Sequence, residues 1–175
     1  MSMNDIQFQK SEWRKKSWSI PDLLGGKQEY FSLVKQLVEL VRSGQATDMD
    51  TCPELQGISK PKLWREYAPF LKSIGLVSNR AGILHLTDVG IAFYNDLTKR
   101  YLADLMQNKI RLFGEVLKIL TVEPGTVQEI DTKLCKNYNL NWANCSNTRK
   151  RLDWLEVLEL IQGIGNRKWQ VTEEG

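Results

Sequence analysis

The sequence predicts a mainly α-helical chain with small β-hairpins, built as two tandem copies of one pattern. Three observations predict it. An internal repeat recurs at an offset of about 84 residues: Leu71-Lys-Ser-Ile74-Gly-Leu76-Val77 matches Leu155-Glu-Val-Leu158-Glu-Leu160-Ile161, and Leu84-His-Leu86-Thr87-Asp-Val-Gly90 matches Trp169-Gln-Val171-Thr172-Glu-Glu-Gly175. Each copy runs from helical apolar spacing into a short strand, a Gly/Asn turn and a second strand. Both carry a capping-box pattern before their second helix, Thr51-Cys-Pro53-Glu54 and Thr126-Val-Gln-Glu129. A repeat of this kind is read first because it decides the architecture.

The elements follow in order. Residues 1–27 form a basic and aromatic amino-terminal arm, with Lys10, Arg14, Lys15 and Lys16 set among Phe8, Trp13 and Trp18. It reads either as an arm that tracks phosphates or, favoured by its two close tryptophans, as a strap packed on the first domain. Residues 28–87 make the first module. Tyr30, Phe31, Val34, Leu37, Val38 and Val41 have the spacing of an amphipathic helix, ended at Ser43-Gly44. A short helix capped at Thr51 stops near Gly57, and Ser59 with Pro61 starts a third that carries Leu63, Trp64, Tyr67, Phe70 and Leu71. Pro69 predicts a kink there or two shorter pieces, because proline removes a backbone donor and clashes with the preceding turn. Asn79-Arg80-Ala81-Gly82 reads as a hairpin turn.

Thr87-Asp88 caps a helical connector over residues 88–109. Residues 110–175 form the second module. Its first helix runs from Ile110 to Leu120 and is halted by Pro124-Gly125; Val127, Ile130 and Leu134 mark the second; the third starts between Asn141 and Asn144 and passes Arg149, Leu152 and Leu155. Leu160-Ile161 and Trp169-Gln-Val171 then flank a Gly163-to-Arg167 turn.

Composition narrows the class. In 175 residues, 42% are hydrophobic and 26% charged, as in an ordinary globular protein. No apolar run is long enough to cross a bilayer, and no secretory leader is visible at the amino terminus. Cys52, Cys135 and Cys145 are odd in number and form no Cys-x-x-Cys pair, which suits a reducing compartment and a cytoplasmic location. The net charge of +3 makes no case for a polyanionic partner by itself, so positive charge would have to be local.

With these residues in view, the chain resembles the winged helix-turn-helix superfamily, and bacterial transcription regulators of that kind in particular. Leu71 to Val77 followed by Leu86-Thr87-Asp-Val-Gly90 carries the resemblance in one copy, and Leu155 to Ile161 followed by Val171-Thr172-Glu-Glu-Gly175 in the other. Glu159 departs from the pattern, standing where the superfamily has glycine, and implies a looser or differently wound chain reversal. The resemblance implies double-stranded DNA as partner, a third helix entering the major groove and a wing touching the backbone. Carried onto this chain, the second module would use Asn147, Arg149 and Lys150 on the helix, with Arg167 and Lys168 at the wing. The first would use Lys60, Lys62 and Arg65, with Arg80 at the wing; there Glu66 opposes phosphate.

The blander readings concern the neighbours. Arg151 is expected to be solvated or paired with an acid such as Glu156. His85, the only histidine, reads as structural and next to the core; Cys135 and Cys145 read as bystander thiols. Without a phosphate-binding glycine loop, a metalloprotease motif or a Ser/His/Asp set, no enzyme, metal or cofactor is expected. Two alternatives stand beside a regulator. One is an amino-terminal DNA-reading module of a larger helicase or restriction/defence enzyme, since the first copy continues past Gly90 into a helix. The other is a winged-helix scaffold that binds protein. Homodimerisation or fusion to further domains is compatible with each.

Overall fold

Tyr30, Leu33, Val34, Leu37, Val38 and Val41 fall on one side of helix α1 (Tyr30–Arg42), and all six are buried. The computed structural model describes residues 13–23, 26–44, 46–47 and 64–175. The capping box at Thr51, the short helix near Gly57, and Lys60 and Lys62 lie outside the described residues.

Helix α2 (Trp64–Ser73) runs on through Pro69. Of the two outcomes expected at that proline, the split into two shorter pieces does not occur. Its ring is exposed, so it costs one backbone donor, while Trp64, Tyr67, Ala68, Phe70 and Leu71 are buried on the other side and hold the helix. Strands β1 (Val77–Arg80) and β2 (Ile83–Leu86) pair antiparallel from Val77 opposite Leu86 to Arg80 opposite Ile83. The turn is therefore only Ala81-Gly82. Beyond β2, Leu84 N–H donates to Ala46 C=O at 2.9 Å, which lays residues 46–47 along the hairpin.

The connector is two helices. α3 (Asp88–Asp96) is capped by Thr87, and α4 (Lys99–Lys109) by Thr98. Each threonine hydroxyl accepts from the amide three residues on, and the second cap restarts the helix after Leu97.

The second half comprises α5 (Phe113–Val122), β3 (Gly125–Thr126), α6 (Val127–Tyr138), α7 (Ser146–Val157), β4 (Ile161–Gly163) and β5 (Lys168–Val171). Its strands are antiparallel in the order β3-β5-β4. The capping box forms: Thr126 N–H donates to Glu129 Oε2 at 2.7 Å, and Glu129 N–H to Thr126 Oγ1 at 3.3 Å. Helix α7 starts later than the sequence predicts, because Asn144 Oδ1 accepts from Ser146 N–H and holds the preceding residues in a turn.

The repeat is also a repeat of backbone geometry. After α2, Gly75 N–H bonds Lys72 C=O and Leu76 N–H bonds Leu71 C=O at 2.9 Å; after α7, Glu159 N–H bonds Glu156 C=O and Leu160 N–H bonds Leu155 C=O at 2.9 Å. Both are Schellman closures with a left-handed residue at the corner, Gly75 at φ 83° and Glu159 at φ 64°. The reversal at Glu159 is thus wound like its glycine counterpart, not more loosely. Thr87 Oγ1 donates to Gly75 C=O and Thr172 Oγ1 to Glu159 C=O, so each threonine ties the returning strand to its corner. The glycines three residues on have a shared reason. A Cβ on Gly90 would lie 2.0 Å from Leu76 C=O, and one on Gly175 would lie 2.2 Å from Leu160 C=O.

The two halves share one hydrophobic core. Trp154 of α7 is its junction, with its ring 4.9 Å from Tyr30 of α1 and 5.2 Å from Phe70 of α2. The amino-terminal segment packs as a strap, held mainly by the connector and the second half, with Leu23 also bonded by Tyr30 of the first. Ser17 N–H donates to Lys109 C=O at 2.7 Å, Arg111 N–H to Ser17 C=O at 2.9 Å, and Trp154 Nε1–H to Pro21 C=O at 3.0 Å. Trp13 stacks on Tyr138, with its indole N–H on Glu115. Among the described residues, no helix is long and apolar enough to cross a membrane.

Arg151 overturns its expected role. It is 0% exposed, and its guanidinium donates to three backbone carbonyls: Arg111 at 2.8 Å, Asn147 at 2.8 Å and Trp18 at 3.2 Å. Burial lowers its pKa to about 10, against a smaller upward pull from Glu115, so it remains a cation at neutral pH. A buried charge is tolerated only when its donors are satisfied, and here main chain from three segments does so. The arginine is a clasp joining the strap, α7 and the turn before α5.

Candidate nucleic-acid interface

The candidate site starts from the way α7 is held. Thr148, fully buried, donates its hydroxyl to Asp131 Oδ1 at 2.5 Å, fixing the first turn of α7 against α6. With Thr148 inward, its neighbours Asn147 and Arg149 are exposed. The first turn of α7 contains no acidic residue of its own; the carboxylate that meets it is Asp131 of α6.

The turn between β4 and β5 supplies the second part. Ile164 N–H donates to Lys168 C=O at 3.0 Å and Lys168 N–H to Gly165 C=O at 2.9 Å, closing a tight turn around Asn166 and Arg167. Their φ angles are 48° and 56°, the left-handed pair of a type I′ turn. Asparagine suits the first of these positions, whereas glycine is the residue preferred at the second. An arginine there carries backbone strain, and strain of this kind concentrates where a side chain has a task.

These two elements meet. Arg149 and Arg167 line one groove of about 350 Å³ together with Val127 and Gln128 at the start of α6 and Trp169 of β5. Among the described residues, neither guanidinium forms an ion pair. The groove therefore offers two cations, an amide side chain and an aromatic wall at the convergence of α6, α7 and the β4–β5 turn. Planar guanidinium forks match the geometry of phosphate oxygens.

The other residues expected at the interface stand elsewhere. Lys150 leaves the groove: its ammonium pairs with Asp22 Oδ2 of the strap at 3.0 Å. Asn147 is exposed, with its backbone C=O engaged by Arg151. Lys168 lies close enough to Glu123 and Glu129 to help lower their carboxyl pKa values. The larger causes are the Lys133 contact for Glu123 and the Thr126 amide for Glu129. Arg65 and Arg80 are exposed in the first half and do not line the groove.

Gln128 and Trp169 join the groove without having been singled out from the sequence. Trp169 reads there as an apolar strand residue, and Gln128 as the second residue of a capped helix; only the convergence of three elements distinguishes them. Conversely, His85 is exposed on β2, not tucked against the core, and lines a cleft of about 380 Å³ with Arg42, Leu86, Ile91 and Tyr94. Cys135 and Cys145 converge on Asp131. Burial first, and then that carboxylate, push both thiols up, away from the thiolate form. Among the described residues, no group of His, Cys, Asp and Glu could hold a metal ion.

Comparison with known proteins returns no matching family model, no matching curated protein and no matching solved structure.

Proposed function

We propose that this chain binds double-stranded DNA through a winged-helix unit in its second half, as a transcription regulator does. The observation that carries the reading is the pair Arg149 and Arg167, two guanidinium groups outside any ion pair among the described residues, drawn to one groove from a helix and a strained hairpin tip. The element order supports it. Helix, short strand, helix, helix and hairpin, with strands ordered β3-β5-β4, is in keeping with the winged-helix resemblance of the repeat motif. In this reading α7 approaches the major groove by its first turn, Asn147 and Arg149 reach base edges, and Arg167 holds the adjacent phosphates. The first half then acts mainly as a buttress through Phe70 and Tyr30 against Trp154.

Amide chemical-shift mapping of the isotope-labelled chain with a short random-sequence duplex tests this. The reading requires perturbations concentrated at Gln128, Asn147, Arg149, Arg167 and Trp169. A map confined to the first half, or no perturbation at low salt, contradicts it.

A further inference from the structure

Along α7, Lys150, which the winged-helix resemblance would place on a duplex, and the acidic Asp153 and Glu156 are met by the chain's own amino-terminal segment in charge-complementary register. Asp22 carries its carboxylate to Lys150 at 3.0 Å, and Lys27 carries its ammonium to Asp153 at 4.0 Å and to Glu156. Acid thus meets base and base meets acid along the same helix. The contact is not a chance meeting of mobile side chains, because the backbone beneath Asp22 is pinned. Trp154 Nε1–H holds Pro21 C=O, Arg151 holds Trp18 C=O, and Ile20 and Leu23 are buried. Yet the ion pair itself is open to solvent, with Asp22 side chain 58% exposed and Lys150 30%. Exposed pairs of this kind are weak and exchange readily for a better anion.

We propose that the strap is a built-in competitor for DNA: Asp22 occupies Lys150 in place of a phosphate, and duplex binding must exchange that carboxylate for the nucleic-acid backbone. The competitor sets affinity without reshaping the fold, since the anchors at Pro21 and Trp18 stay in place while only the Asp22 side chain swings away. The inference rests on the DNA reading proposed above and adds to it how a further cation of α7, next in sequence to Arg149, is restrained.

The test is a double-mutant cycle in duplex binding, followed by fluorescence anisotropy for the wild type, Asp22→Asn, Lys150→Ala and the two combined. Far-ultraviolet circular dichroism confirms that each remains folded. Asp22→Asn is expected to tighten binding roughly two- to five-fold, the worth of an exposed ion pair. It should also steepen the dependence of log affinity on log salt by about one, as Lys150 turns to a phosphate. In the Lys150→Ala background the same substitution should change nothing. If the wild type binds and Asp22→Asn leaves affinity unchanged or weaker, the competitor is refuted while the DNA reading stands. If the gain persists without Lys150, it is a general charge effect and the competitor is likewise refuted. If neither wild type nor Asp22→Asn binds duplex, the DNA reading fails and the competitor with it.

Discussion

Arg149 on α7 and Arg167 at the tip of the β4–β5 hairpin face the same groove, although one is fixed by a buried threonine beside it and the other by a strained turn. That relationship turns a mildly charged protein into one with a concentrated cationic feature. It also sets a trade-off that can be measured.

Replacing Arg167 by glycine should improve the turn and harm the site. The left-handed backbone at φ 56° disfavours a side chain and suits glycine. Chemical denaturation of Arg167→Gly should show a gain of about 0.5–1 kcal/mol. Duplex affinity should fall at the same time, because one of the two guanidinium groups is gone. Lower stability together with unchanged affinity would contradict both halves of the argument.

The paired corners predict opposite effects from two substitutions. Glu159→Gly removes the cost of a side chain in the left-handed region and should stabilise the chain by about 0.5–1 kcal/mol. Its exposed ion pair with Lys99 offsets little of that gain. Gly90→Ala should destabilise by about 1–3 kcal/mol, since its methyl would strike Leu76 C=O and force helix and hairpin apart. Urea midpoints of the two variants should move in opposite directions from the wild type.

Arg151→Ala should cost about 3 kcal/mol, because the carbonyls of Arg111 and Trp18 lose the guanidinium donor, that of Asn147 keeps only its helical partner, and a cavity remains. Arg151→Lys should recover only part of this, as one ammonium cannot reproduce a planar fork spanning three segments. Limited proteolysis should then cut near Trp18 sooner than in the wild type. A denaturation midpoint for Arg151→Ala equal to that of the wild type would show that the strap is held by its tryptophans and by the bonds at Ser17 and Pro21 without the arginine.

Much of this arrangement could be read from the sequence, for physical reasons that differ by element. The first helix is legible because Val34, Leu37, Val38 and Val41 repeat at helical spacing and all are buried. The second capping box is legible because its two hydrogen bonds are local, between residues three apart. The Thr-x-x-Gly repeat marks two backbone crossings too close for a Cβ. What escapes is long-range. Nothing local distinguishes Arg151 from Arg149, yet one is sealed beneath the strap and the other faces the groove, a difference set by residues 17–21 and 111 arriving from elsewhere. Lys150 likewise meets Asp22 only through tertiary packing. Strand β3 is two residues long, too short to show any period. The helix survives Pro69 because five buried residues on its far side outweigh one missing hydrogen bond.

The most direct test of the central claim is the salt dependence of duplex affinity for the wild type against Arg149→Ala/Arg167→Ala, measured between about 50 and 200 mM salt. With the phosphate contact of Arg167 gone, one fewer counterion is released on binding, so the slope should flatten by about one, and loss of the Arg149 base contact should lower affinity further. An identical slope and affinity in the double variant would mean that the groove formed by α6, α7 and the β4–β5 turn does not hold DNA.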